Sequence, residues 1–145
     1  EGESDGVLHI GTVLPQTGNL AFLGPPEFAG VELAVADINA AGGVLGKDVV
    51  LTQGDSGDTS TDIANQTVDA GLAAGVDAFV GAASSGVSFT FIDKLVENCK
   101  IHFSPANTSH HTTPRRPPSR ASPFASARPR RSPRRNPCRN RTPAQ

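Results

Sequence analysis

Apolar residues recur along the first three quarters of the chain at two spacings, and the spacings alternate. VLHIGTV (Val7–Val13) alternates and is β-branched, which predicts a strand. LPQTGNLAFLGPP follows as a loop marked by Gly and Pro. Pro25 and Pro26 suit the first turn of a helix, where an N–H would have no partner anyway. From there Phe28, Val31, Val35 and Ile38 recur at helical spacing as one apolar face, with Ala29, Ala34 and Ala36 small enough to let it pack closely. Gly42 and Gly43 end that helix. VVLTQG (Val49–Gly54) reads as a second strand. Thr61–Ala74 reads as a second helix with Ala64, Val68 and Leu72 inward, weakened at Gly71 by about 1 kcal/mol relative to Ala. DAFVGAAS (Asp77–Ser84) predicts a third strand, Val87–Asn98 a third helix with Val87, Phe91 and Leu95 one turn apart, and IHFSP (Ile101–Pro105) a short fourth strand.

A strand–helix–strand unit repeated in this way requires right-handed crossovers and a parallel sheet with helices on both faces. The fold class is therefore α/β, a partial doubly wound parallel sheet with the flavodoxin-like strand order 2-1-3-4. Ligands in such sheets bind beyond the carboxyl ends of the strands. The segments expected there are residues 14–25, 82–87 and 105–109.

Charge divides the chain in two. Residues 1–109 hold all fourteen acidic residues and only Lys47, Lys94 and Lys100, a net charge of −11. Residues 110–145 hold ten Arg and no acid. This second segment also has eight of the 12 prolines and no Leu, Ile, Val or Gly, and Phe124 is its one large apolar residue. It cannot bury enough apolar surface to offset an ordering cost of roughly 1–2 kcal/mol per residue, so disorder is expected over 110–145. Residues 1–6 form a polar leader of the kind that follows a removed signal or anchor segment, consistent with the absence of Met. The domain plan is thus leader 1–6, folded unit 7–109 and Arg/Pro-rich tail 110–145. Cys99 and Cys138 are expected to be a half-buried thiol and an incidental one.

Candidate chemistry concentrates in GAASSGVS. Ser84 and Ser85 stand at a strand-to-helix turn, where free N–H groups and a partial positive charge hold a carboxylate or phosphate. The alternative is that one serine merely caps the helix. PANTS offers Thr108 and backbone groups in the same way. A serine hydrolase is disfavoured, because G-x-S-x-G is absent: Ala82 precedes Ser84 by two and Ala83 precedes Ser85 by two. His102 falls inside a strand and reads as structural. GGVLGKD fails the P-loop pattern, with Ala41 where its first Gly belongs, Asp48 in place of Ser/Thr, and a strand after it instead of before. The four His are scattered without metal spacing, and no cofactor is implied.

IGTVLPQTGNLAFLGPPEFAGVELAVADINAAGGVLGKDVVL, then GVDAFVGAASSGVS, then FSPANTS resemble the first lobe of the branched-chain amino-acid (Leu/Ile/Val) type periplasmic binding proteins of ABC importers. The motifs that carry the resemblance are P-x-T-G, A-x-x-x-I-N-A-A-G-G-V-L-G, V-G-x-x-S-S-G and S-P-A-x-T-S, in order over residues 7–109. The resemblance implies a monomeric, non-catalytic protein, exported to the periplasm or held at the cell surface as a lipoprotein. It binds an amino acid or analogue between two lobes and delivers it to a membrane permease. It further implies that Ser84 and Ser85 take the ligand's carboxylate, that the Ala106 carbonyl and Thr108 take its ammonium and carboxylate, and that Phe22 and Leu23 cover one side. Leu23 stands where the family often has a large aromatic, which turns the expectation toward amide, urea-like or other amino-acid-like solutes.

After PANTS the family continues into a second lobe, whereas here the text becomes Arg, Pro, Ser, Ala and Thr, the residues GC-rich DNA encodes when read out of frame. The tail is accordingly expected to be a frameshifted reading of that lobe, leaving a truncated and impaired binding protein. The rival function is non-specific nucleic-acid binding through the Arg-rich tail, falling steeply with salt. A single aromatic in the tail and an acidic folded unit argue against specific recognition of nucleic acid.

Overall fold

The structure, a computed structural model, describes residues 6–109. Four short strands form one parallel sheet: β1 (His9–Val13), β2 (Val50–Thr52), β3 (Ala78–Gly81) and β4 (Ile101–Phe103), in the order β2-β1-β3-β4. β1 is central, with its last three residues buried; Ile10 lies in register with Leu51 on one side and Ala78 on the other. The ladder between the first two strands continues past their ends, with Leu14 donating to the Gly54 carbonyl at 3.1 Å and Ser56 donating to the Leu14 carbonyl at 2.9 Å. The expected fold class and strand order are observed. Each strand is shorter than its apolar run, since three-residue partners at both rims limit how much of the chain can pair.

Three helices connect the strands: α1 (Gly24–Ala40), α2 (Ile63–Ala73) and α3 (Ser85–Glu97). α2 and α3 share one face of the sheet and build the core there from Val13, Ala64, Val68, Val76, Phe79, Val87, Phe91 and Leu95. The inward positions expected for these two helices are therefore inward, with Leu72 partly buried at the margin. Gly71 has a role the sequence pattern does not reveal. A Cβ there would lie 2.7 Å from the Phe79 ring, so the missing side chain is what lets α2 sit down on the sheet.

Among the described residues α1 is the one helix on the opposite face, and here the expectation of close packing fails. Only Gly24 and Val35 of this helix are buried. Phe28 and Val31 are half-buried, and Ala29, Ala34 and Ala36 are exposed. Among the described residues no helix flanks α1 over β3 and β4. The apolar face of α1 therefore borders an open groove of about 360 Å³, lined by Ile10, Val31, Ile38, Val80 and Phe103 among others.

GGVLGKD folds as a tight turn closed by paired hydrogen bonds between Val44 and Lys47, not as a phosphate loop. Cys99 is disulfide-bonded rather than the free thiol expected. No described helix is long and apolar enough to cross a membrane. The expectations for residues 1–5 and 110–145 lie outside the described residues.

Candidate functional site

α1 leaves β1 on one face of the sheet and α3 leaves β3 on the other, although the two strands are neighbours. The crevice between their carboxyl ends is the topological switch point, where a parallel sheet opens to a ligand. Residues 15–23 wall it on one side, ending in a 3-10 turn over Ala21–Leu23 that the Gly- and Pro-marked sequence does not betray. This segment is held from beneath. Asp55, just past β2, accepts hydrogen bonds from the N–H groups of Gln16 (2.9 Å), Thr17 (3.2 Å) and Gly57 (2.8 Å) through one carboxylate oxygen, and from the Thr17 hydroxyl through the other. Burial alone would raise the Asp55 pKa. The Thr17 hydroxyl and the three N–H groups outweigh it and hold the carboxyl below its usual range. At the far end of the segment Gly24 packs so tightly that a Cβ there would lie 2.0 Å from the Pro15 carbonyl oxygen.

The other wall is the start of α3. Ser84 occupies the N-cap position with extended backbone, but its hydroxyl makes no capping bond. The first intrahelical bond is donated by the Ser88 N–H to the Ser84 carbonyl at 3.0 Å. Ser85 begins the helix, and its hydroxyl oxygen accepts from the backbone N–H groups of Thr108 and Ser109, both at 3.2 Å. A serine hydroxyl has two lone pairs and one proton. With both lone pairs engaged, the Ser85 O–H is left as a donor beside the N–H groups of the helix start. The segment after β4 is laced to the same turn: Ser104 donates to the Ala82 carbonyl at 3.0 Å, and the Asn107 amide donates to the Ser88 hydroxyl at 2.7 Å. Ser88 in turn accepts from the Ala82 N–H at 3.3 Å.

Of the residues singled out from sequence, Ser85 and Thr108 are brought into direct contact. Ser84 and Ala106 lie in the same two segments. Phe22 and Leu23 lie on the opposite wall, Phe22 with 71% of its surface exposed. His102 is structural in its contacts, stacking edge-on against Phe91 with ring centroids 5.4 Å apart and donating from its ring to the Gly81 carbonyl. Asp55, Ser88 and Asn107 were missed. Asn107 sits at the unassigned position of S-P-A-x-T-S, yet it is the side chain that fastens that loop to α3. Asp55 follows β2, whose loop is not among the three expected, although the order 2-1-3-4 itself sets the end of β2 beside that of β1. No group of three or more potential metal-ligating side chains occurs among the described residues.

Residues 7–128 match the family model described as periplasmic binding protein. The Leu/Ile/Val-binding protein BraC3 of Rhizobium johnstonii is 35% identical over 109 residues, covering 73% of this chain and 29% of that protein. Leu/Ile/Val-binding protein homolog 2 of Brucella abortus is 33% identical over 117 residues, covering 79% and 30% respectively. Among solved structures, the branched-chain amino acid transporter substrate-binding protein LivJ of Streptococcus pneumoniae in complex with isoleucine superposes with a TM-score of 0.64 at 31% identity, covering 72% of this chain and 30% of that one. The chain spans less than a third of the length of these relatives.

Proposed function

This chain belongs to the periplasmic binding protein family, and from that premise we propose that it is the first-lobe part of the substrate-binding component of an ABC importer for amino acids or amino-acid-like solutes. The observation that carries the reading is the Ser85 hydroxyl. Its oxygen accepts from the Thr108 and Ser109 N–H groups, which leaves its O–H as a donor to offer at the head of α3. A carboxylate there would receive the Ser85 O–H, the Ser84 O–H and the N–H groups at the start of α3, all favoured by the helix dipole. The Ala106 carbonyl and Thr108 hydroxyl offer acceptors for an adjacent ammonium. Phe22 and Leu23 supply apolar cover from the opposite wall. Nothing in this arrangement is a nucleophile with its base, so the proposed role is capture and delivery, not catalysis.

In this reading the protein works outside the cytoplasmic membrane, in the periplasm or tethered as a lipoprotein. It acts as a monomer that closes a second lobe over the solute and hands it to a permease. The test is calorimetric titration of a protein carrying both lobes with a panel of amino acids, amides and urea-like solutes. One solute class should bind, and Ser84→Ala/Ser85→Ala should weaken it by about 1.5–3 kcal/mol, the worth of a hydrogen bond to a charged group. Unchanged affinity in the double variant removes these serines from the site.

A further inference from the structure

Four hydrogen bonds close a circuit at the head of α3 that begins and ends at Ala82. The Ala82 carbonyl accepts from the Ser104 hydroxyl at 3.0 Å. The Ser104 hydroxyl oxygen accepts from the Asn107 N–H at 3.1 Å. The Asn107 amide donates to the Ser88 hydroxyl at 2.7 Å, and that hydroxyl accepts from the Ala82 N–H at 3.3 Å. Ala82 and Ser88 are fully buried, so water cannot readily replace a bond lost at either. Both branches of the circuit pass through Asn107, one by its backbone and one by its side chain. Its Oδ1 is buried without a partner among the described residues. An unpaired buried acceptor costs stability, so stability alone does not account for an asparagine here.

We infer that Asn107 is a positioning residue that makes the site selective for the distance between a solute's two charges. The inference rests on the function proposed above. Ala106 and Thr108, which flank Asn107, carry the acceptors proposed for the ammonium. The donors proposed for the carboxylate stand on Ser84, Ser85 and the first turn of α3. Val80 and Phe103 are the last register pair of β3 and β4. Beyond them the two segments are joined through the hydroxyls of Ser85, Ser88 and Ser104 and the Asn107 amide. These bonds fix the spacing between donors and acceptors. An α-amino acid carries both charges on one carbon, whereas a γ-amino acid sets them two carbons further apart. With the Asn107–Ser88 latch closed, one spacing is favoured. With it open, residues 104–109 shift to suit either. Asn107 acts through its two neighbours and not by contact with the solute.

NMR of the full 145-residue chain tests both steps. Amide hydrogen exchange reads the latch. Asn107→Ala should speed exchange at Thr108 by about tenfold, the equivalent of one hydrogen bond, while the amides of β1 and β3 keep their rates. Ser88→Ala opens the same latch from the other side, and the double variant should exchange no faster than the faster single one. Titration with the isomers 2-aminobutyrate and 4-aminobutyrate reads the selectivity from the amide shifts of Ser84, Ser85 and Thr108. The wild-type chain should prefer 2-aminobutyrate by about tenfold, and Asn107→Ala should narrow this to about threefold or less. Unchanged exchange at Thr108 in Asn107→Ala overturns the latch. Faster exchange with an unchanged preference makes Asn107 merely structural and overturns its part in selectivity. If neither isomer shifts the turn in the wild-type chain, the proposed function fails and the selectivity with it, while the exchange rates still decide the latch.

Discussion

Removing the Asp55 carboxylate should loosen the wall formed by residues 15–23 while leaving the core of the sheet intact. Four donors converge on it, at 2.9, 3.2, 2.8 and 2.5 Å. A single hydrogen bond to a charged group is worth about 1.5–3 kcal/mol. Asp55 is only partly buried, so water replaces some of what is lost, and the four bonds do not add. Asp55→Ala is therefore expected to cost about 2–3 kcal/mol. Asp55→Asn keeps an acceptor for the three N–H groups and requires only that Thr17 turn its hydroxyl to accept from the new amide, so about 1 kcal/mol is expected. Urea unfolding of the two variants measures the difference. The pH dependence has a definite sign: a folded pKa below the unfolded value of about 3.9 contributes stability that is present above that value and lost as pH falls through the folded pKa. The wild-type protein should lose stability in that acid window, and Asp55→Asn should lose less. Equal costs for Ala and Asn, or an acid profile unchanged by Asp55→Asn, would show that the carboxylate does not hold the loop.

Three further outcomes are expected. Burial lowers the His102 pKa, against the opposing effect of its bond to the Gly81 carbonyl; its contribution to stability is present above the unfolded value of about 6.5 and lost as pH falls from there through the folded pKa. His102→Gln should flatten that part of the stability–pH profile, and an unaltered profile assigns it to other groups. Gly71→Ala should destabilise by about 1–3 kcal/mol in chemical denaturation, because a methyl driven into the Phe79 ring outweighs the gain of about 1 kcal/mol in helix propensity; a stabilised variant would mean the ring can move aside. The 145-residue chain should bind the cognate solute about a hundredfold or more weakly than a protein with both lobes, as one wall encloses far less of a ligand than a formed pocket does, and calorimetry showing comparable affinity would refute the need for the second lobe.

The elements legible in the sequence are those whose apolar period meets a complete partner. Val87, Phe91 and Leu95 face a sheet that is covered on their side, so the spacing predicts both the helix and its buried residues. Phe28, Val31, Val35 and Ile38 have the same spacing, and the helix they predict is present. Burial failed there because periodicity reports which side of a helix is apolar and not whether anything packs on it. The polar brackets were illegible for a different reason. Thr17 and Asp55 are separated by 38 residues, and Ser88 and Asn107 by 19. Such contacts follow from the order of the strands, and no local pattern of residue types announces them.

Strand order and charge together narrow what the crevice can hold, on the function proposed. The head of α3 favours an anion. The segment around it does not: residues 1–109 carry a net charge of −11, and Asp55 and Asp58 both have pKa values held below their usual range, so they stay charged throughout the neutral region. A phosphate would gain the donors of the turn and meet the repulsion of the unit's net negative charge, screened with a Debye length of about 8–10 Å. A zwitterion escapes this conflict, because its carboxylate takes the donors while its ammonium is attracted by the same acids and by carbonyls such as that of Ala106. The discrimination is thus electrostatic before it is steric. Raising the ionic strength should narrow the preference for an amino acid over its N-acetyl derivative, which keeps the carboxylate and loses the cation. A preference independent of salt would instead place the discrimination in direct hydrogen bonds to the ammonium.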